Sequence, residues 1–566
     1  MVAPRSVACQ NVAFDEIASP PPFRSRSDFL GTLREGGGLL LRSRRQFLGE
    51  VGAGAATLAS LGAWPGPLEA GAPDPAKLAD LSAFAMEQAR SAGATYADIR
   101  INRYRSQAVT FRSTIDRATG QPVEVPSVSD SVSFGFGLRV LADGAWGFSA
   151  SSDVSRAAIA LAATEAVAIS RANAPLRREP VKLAPTPSYK DVYRTPLTTD
   201  PFTIPIEQKL ELLRSVATEA RKINGVFSVT SFIACRAEDR FFASTEGSVI
   251  EQHIVQVAPE FTATVVEAGR KVKSRTYRPD SVTSGYEAVE RASLFYNAQR
   301  VAEEAVAHIK APSVTPGVKD LILLPTHLAL TIHESIGHST ELDRALGYEA
   351  NYAGTSFLTT DKLGKFRVGS EIVNFNGDRT HPESLSTCGY DDDGVKTRQF
   401  PIISKGVFVG YQTIRDQAHL IGQTESMGCC YADNYSSVPF QRMPNVWLEP
   451  AKEQVTLDDL ISGVDDGILI DGRGSYSIDQ QRYNFQFGGD AFWEIKNGKV
   501  KGMISDVAYQ SRTPDFWASC DGIGGDALWQ NIGLSADGKG QPAQINAMSH
   551  GCSPSRFRRV NVLRTS

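Results

Sequence analysis

Leu321-Ile322-Leu323-Leu324-Pro325-Thr326 runs through Leu328, Leu330 and Ile332 into His333-Glu334-Ser335-Ile336-Gly337-His338, and the reading of this chain turns on that stretch. The apolar run at its start predicts a buried strand. Pro325 and Thr326 then open a helix, with Thr326 as a fair N-cap, and Leu328, Leu330, Ile332 and Ile336 supply its apolar side chains. The chain has eight histidines, and two of them flank a carboxylate here. Neutral imidazoles are good metal ligands, and a carboxylate beside them can act as base on a metal-bound water. The hexapeptide therefore points to a zinc-dependent hydrolase, with His333 and His338 as ligands and Glu334 as general base. His327 has no partner in the motif and reads as a structural or exposed histidine.

The spacing carries a second expectation. Helical zinc sites commonly place two histidines four residues apart on one face. Here the separation is five, and at ~100° per residue an undistorted helix would aim the rings ~140° apart. A π-type turn inserts one residue and brings them back together. Gly337 sits where a distorted backbone is most easily tolerated, so the sequence predicts a widened or broken helix over residues 335–338. Glu341 and Asp343 follow closely enough for either to orient a ligand imidazole.

Other segments extend the argument along the chain. Ala92-Gly93-Ala94-Thr95-Tyr96-Ala97-Asp98-Ile99-Arg100, Gly135-Phe136-Gly137-Leu138-Arg139-Val140 and Asp143-Gly144-Ala145-Trp146-Gly147-Phe148 precede an alanine-rich segment over 157–172. After the hexapeptide come Asp392-Asp393-Gly394-Val395, Gly406-Val407-Phe408-Val409-Gly410-Tyr411, Arg442-Met443-Pro444-Asn445, Gly538-Lys539-Gly540-Gln541-Pro542 and Ser549-His550-Gly551. In this order, from about residue 79 to the C-terminus, the chain resembles the TldD/PmbA family of metalloproteases, whose signature is H-E-x-x-x-H. The resemblance implies that His333 and His338 are metal ligands, that Glu334 activates water, and that the architecture is a two-domain α+β one. In that family a cysteine just before the late G-K-G-Q type segment is the third ligand, whereas Asp537 stands there in this chain. Aspartate is an accepted zinc ligand, and its harder oxygen shifts the preference towards other divalent ions. Asp537 is thus the first candidate for third ligand, with Cys552 as the alternative and His550 behind it.

At 566 residues and 42% hydrophobic content the chain can build more than one core. A net charge of −4, mixed in sign along the sequence, gives no reason to expect nucleic acid or an anionic membrane as partner. Seven cysteines suggest no disulfide framework and read mostly as buried thiols. Ser43-Arg44-Arg45-Gln46-Phe47-Leu48, followed by a Gly/Ala-rich apolar stretch over 51–64, resembles a twin-arginine export signal with Ala70 as a plausible cleavage position. Residues 1–70 are therefore read as a leader to the periplasm, the alternative being an uncleaved tail on a cytoplasmic protein.

The expected fold class is α+β. An N-terminal mixed α/β domain over 71–310 precedes a mostly antiparallel β domain over 318–566 that carries the metal-binding helix, with the boundary at Ala311-Pro312-Ser313-Val314-Thr315-Pro316-Gly317. Helices are predicted over 75–92, 152–171, 205–223 and 286–310. Hairpin turns are predicted at Asp143-Gly144, at Thr245-Glu246-Gly247 and near Gly406 and Gly498.

Together these readings predict a zinc peptidase acting on extended or unfolded peptides, with a free strand edge near the site to pair with substrate backbone. Arg442 and Asn445 are candidate substrate contacts, although Arg442 is equally suited to an ion pair with an acidic neighbour. The resemblance implies a dimer, with an identical chain or a family paralogue. The rivals are a non-catalytic subunit supporting a catalytic partner and a metal-dependent amidohydrolase acting on small molecules.

Overall fold

The structure, a computed structural model, describes residues 74–267 and 271–565. The Arg44-Arg45 pair and the apolar run after it lie outside the described residues. Among those described, no helix is long and apolar enough to cross a membrane.

The first half is organised by long antiparallel strands. β1 (Tyr96–Ile115), β2 (Pro122–Ala142), β3 (Ala145–Ser151), β4 (Lys190–Arg194), β5 (Val226–Ser244), β6 (Val249–Val266) and β7 (Val272–Tyr277) form one sheet in the order β3-β2-β1-β5-β6-β4, with β7 alongside β6. Only β4 runs parallel to its neighbour. Asp143 (φ 49°) and Gly144 (φ 77°) close the β2–β3 hairpin in the left-handed pair that such two-residue turns require. The helix Pro75–Ala92 begins where Asp74 accepts the Ala76 amide and ends at Gly93 in the left-handed region. Its Leu78, Leu81, Ala85 and Ala89 pack on Ile99, Leu138 and Val140 beside the helix Arg156–Asn173.

The predicted helix over 286–310 is broken. It forms two pieces, Glu287–Arg291 and Leu294–Lys310, because Ser293 takes a left-handed conformation (φ 51°) between them. Tyr277 Oη donates to the Ala292 carbonyl at 3.0 Å at this break.

In the second half, β8 (Gly317–Leu323) lies at the centre of a nine-stranded sheet, parallel to Asp466–Asp471 on one side and antiparallel to Ser555–Arg564 on the other. Every other pairing in that sheet is antiparallel. Leu321, Ile322 and Leu323 have no exposed surface, as expected of an apolar run at a sheet centre. β8 feeds directly into the helix Pro325–Ile332. Leu324 rather than Thr326 holds the cap position, because Pro325 occupies the first helical turn. Thr326 instead turns its hydroxyl to Asp471, at the end of the neighbouring parallel strand. The expected α+β organisation is what the structure has.

Buried charge ties the two halves together. Arg139 on β2 donates to Asp98 on β1 at 2.8 Å and to Asp393 at 2.6 Å, with all three side chains buried. Arg415 forks onto Glu246 at 2.8 and 2.9 Å. Removing one member of a buried ion cluster leaves the others uncompensated. Arg139→Met is therefore expected to cost about 3–5 kcal/mol of stability, measured by urea denaturation, while Arg156→Met, at an exposed pair with Asp80, changes it by less than about 1 kcal/mol.

Candidate metal centre

The helix that β8 feeds changes pitch at the motif. Residues His333–Gly337 form a π turn, in which the His338 amide donates to the His333 carbonyl across five residues. The extra residue brings the two imidazoles together, with ring centroids 4.4 Å apart. Gly337 has an ordinary helical φ of −53°, so the glycine is not there for backbone freedom. A Cβ at that position would lie 2.6 Å from the Met443 sulfur, so the need is close approach.

Asp537 comes from the hairpin Gln530–Lys539/Gln544–Cys552. The register advances from Leu534↔Met548 to Asp537↔Asn546, one residue more on the first strand than on the second. Such a bulge re-aims the side chain that follows it. Asp537 Oδ1 thereby lies 3.6 Å from His333 Nε2 and 3.5 Å from His338 Nε2. The three donor atoms all lie within 4.8 Å of one another, and all three residues are buried.

Each ligand candidate is held from behind. His333 Nδ1 donates to His550 Nε2 at 2.9 Å, and His550 Nδ1 donates in turn to the Val446 carbonyl at 2.9 Å. His338 Nδ1 donates to Glu341 Oε2 at 2.8 Å. Both Nε2 atoms are thus left free as acceptors facing Asp537, the tautomer a metal ligand needs. Asp537 Oδ2 and its main-chain carbonyl both accept from Arg442, at 3.2 and 2.5 Å. Glu341 Oε1 accepts from Lys539 at 3.0 Å, and Lys539 also reaches Asp343 at 2.8 Å.

The electrostatics agree with that assignment. Burial, and then the Arg344 guanidinium, push His338 well below its ordinary pKa, so the ring is neutral. Burial alone would raise Asp537, but its interaction with the His338 and His333 rings and the charge of Arg442 at 3.2 Å favour the carboxylate, which is held well below its usual range. Burial likewise opposes Glu341, and Lys539 and Arg344 overcome it to keep that carboxylate charged. The donor set is therefore two imidazoles and one anionic oxygen, which fits a divalent ion of the zinc class.

Glu334 is buried beside this cluster. Its Oε2 pairs with Arg482 Nη1 at 3.0 Å, and Arg482 also donates to the Ala353 carbonyl at 3.0 Å. Among the described residues Glu334 Oε1 has no hydrogen-bond partner.

Comparison with known proteins gives this arrangement its context. The PmbA/TldA metallopeptidase domain 1 matches residues 124–170, the central domain of the same family matches 199–311, and its C-terminal domain matches 316–562. The chain carries all three PmbA/TldA metallopeptidase domains. A metalloprotease of Methanothermobacter thermautotrophicus is 28% identical over 432 residues, spanning 76% of this chain and 88% of the relative. A zinc metalloprotease TldD homolog of Saccharolobus solfataricus is 24% identical, again spanning 76% and 88%. In fold, TldE from Thermococcus kodakarensis superposes with a TM-score of 0.62 at 18% identity, covering 86% of this chain and 99% of that one.

The other residues singled out from the sequence lie away from the cluster or behind it, and for His327 and the acid-paired Arg442 this is one of the readings expected. Cys552 is not brought to the cluster. Its thiol is fully buried against the Pro325 carbonyl at 3.7 Å, and burial pushes it far above the ordinary thiol range. His550 stands behind His333 rather than beside Asp537, and so orients a ligand instead of supplying one. Arg442 has no exposed surface and is spent on Asp537 and the Gln544 carbonyl. Asn445 is buried too, donating to the Asp378 carbonyl and accepting the Ser386 and Ser549 amides. Neither is placed to touch a substrate. His327 is structural, bridging the Gly472 carbonyl at 2.8 Å and the Tyr509 hydroxyl at 2.9 Å.

His550→Ala is expected to weaken metal binding about 10–100-fold, because it frees the His333 ring to rotate. Competition titration against a chelator of known affinity measures it, and an unchanged constant would show that His333 needs no such support.

Proposed function

We propose that this chain is a metal-dependent peptidase whose ion is held by His333, His338 and Asp537 and whose general base is Glu334. The observation that carries the reading is the meeting of the two imidazole Nε2 atoms and Asp537 Oδ1 at one point, next to a buried carboxylate. A divalent ion there would polarise a scissile carbonyl and make water more acidic.

The protein's own groups supply the rest. Glu334 Oε1 takes the proton from the attacking water and passes it to the leaving amine. Arg482, paired with Oε2, fixes which oxygen faces the substrate and leaves the other free. Glu341, itself held by Lys539, keeps the His338 ring oriented, while burial and Arg344 keep it neutral. The substrate class is an extended peptide. Tyr476–Ile478 ends the nine-stranded sheet as an edge strand among the described residues, and it is largely exposed. Arg482, four residues beyond Ile478, pairs with Glu334 at 3.0 Å, which supports a substrate path along this edge. A peptide adding to that edge would be read by its backbone rather than its sequence.

Three results are expected. Glu334→Gln retains metal but loses at least about 100-fold in hydrolysis of an unstructured peptide, whereas full activity would remove Glu334 as base. Asp537→Ala lowers metal content by elemental analysis, and unchanged content would remove Asp537 from the donor set. Tyr476→Pro, which removes an amide on the open side of the edge strand and leaves the Ser477–Gln486 pairing in place, blocks strand addition and raises KM with little change in kcat.

The chain is proposed to pair with an identical chain or a paralogue, and sedimentation of the purified chain, alone and mixed with a paralogue, distinguishes these. The retained His333, Glu334 and His338 favour the catalytic role over that of a supporting subunit. Metal content and peptidase activity of the isolated chain test that choice directly.

A further inference from the structure

A cavity of about 600 Å3 opens at the start of the helix Pro325–Ile332, between β7 and the strand Asp466–Asp471. None of His333, Glu334, His338 or Asp537 lines it. Its wall is mixed. Tyr277, Val282, Leu457, Leu528, Ile532 and Pro554 supply apolar surface, and five arginines and four carboxylates (Asp280, Glu383, Asp471 and Asp490) supply charge.

Four of those arginines are matched. Arg275 pairs with Glu304 at 2.7 Å and also with Asp471 and Asp490. Arg278 pairs with Glu260, Arg291 with Glu383 at 2.8 Å, and Arg300 with Glu304 at 2.7 Å. Arg473 differs. It is half-buried in the cavity wall and has no hydrogen bond or ion pair among the described residues. The acids nearest in sequence and charge are already spent: Asp471 on Arg275 and Thr326, and Asp490 on Arg275 and the Thr276 amide. Burial, and then the Arg278 cation, push the Arg473 guanidinium down to about 9. A guanidinium keeps its proton in proteins, so that shift expresses the cost of a half-buried cation whose nearby acids, Glu260 and Asp490, are paired directly with Arg278 and Arg275 instead. A charge drawn out of water without a direct partner is costly.

We propose that this cavity binds a small carboxylic acid with an apolar body, the carboxylate forked onto Arg473 and the body lying against the apolar wall. Guanidinium and carboxylate match in plane and spacing, which favours two parallel hydrogen bonds. The volume suits a ligand of amino-acid to dipeptide size. N-acylated apolar amino acids and the C-termini of short apolar peptides belong to this class. The site stands independently of the peptidase reading, since it shares no residue with the metal centre.

The test is calorimetric titration of the full chain with N-acetyl-leucine, with its neutral amide and with inorganic phosphate. The acid is expected to bind at least about tenfold more tightly than the amide, and Arg473→Gln is expected to abolish that difference. The same variant should raise the melting temperature of the ligand-free protein, because it removes the uncompensated cation. Equal affinity for acid and amide, or undiminished acid binding in Arg473→Gln, would overturn the proposal. Phosphate binding as tightly as the acid would show a plain anion pocket and overturn the assignment of an apolar body. If Arg473→Gln does not fold, the contrast between acid and amide on the unsubstituted chain decides by itself. A carboxylate captured at the metal centre instead would be insensitive to Arg473, which separates the two sites.

Discussion

One surplus residue in a helical turn sets everything at the candidate centre. Five positions separate His333 from His338, and only the π turn lets both rings face the same point. The turn is packed from outside by Met443, whose sulfur fills the space that a Gly337 side chain would take. It is launched from inside by β8, the central strand of the larger sheet, whose fully buried Leu321, Ile322 and Leu323 anchor the helix start. A distorted helix costs backbone hydrogen-bond quality, and π turns occur mostly where function demands them. On the proposed reading, the demand is two imidazoles and a carboxylate on one cation.

The centre is charged in a way that makes sense with that cation and poorly without it. The donor atoms of His333, His338 and Asp537 lie within 4.8 Å of one another, the His338 ring is kept neutral and Asp537 anionic, and Glu334 is buried as well. Around them, Arg442, Arg344 and Lys539 neutralise Asp537 and Glu341 from the outer side. The ligand geometry is thus set by protein contacts alone, which is the preorganisation a hydrolytic metal site needs. Asp537 where the family resemblance implies a cysteine keeps the donor count and changes its softness, favouring ions that accept oxygen.

Much of this was legible in the chain because it is local. The i, i+5 histidines imply a widened turn by arithmetic, and the left-handed pairs Asp143-Gly144 and Asn497-Gly498 sit at hairpin turns where the pattern put them. Glu341 was near enough in sequence to be named as an orienting group for His338. What was not legible depends on long-range registry. A bulge between Leu534 and Asp537 decides where the carboxylate points, and nothing in the composition of that strand signals it. His550 looked like a third donor but sits across the hairpin, behind His333. Asn445 looked available and the fold consumes it, while Arg442 takes the ion pair that was its other reading. The break at Ser293 escaped notice because the apolar spacing continues through it. Arg473 carries no motif, and only the pairing of its four neighbours isolates it.

The most direct test is an anomalous-difference map collected at the zinc absorption edge from crystals of the metal-loaded protein. The account predicts a single strong peak about 2.0–2.2 Å from His333 Nε2, His338 Nε2 and Asp537 Oδ1, with Glu334 outside the coordination sphere. No peak at that point, or an ion bound with either ring turned away, would contradict it.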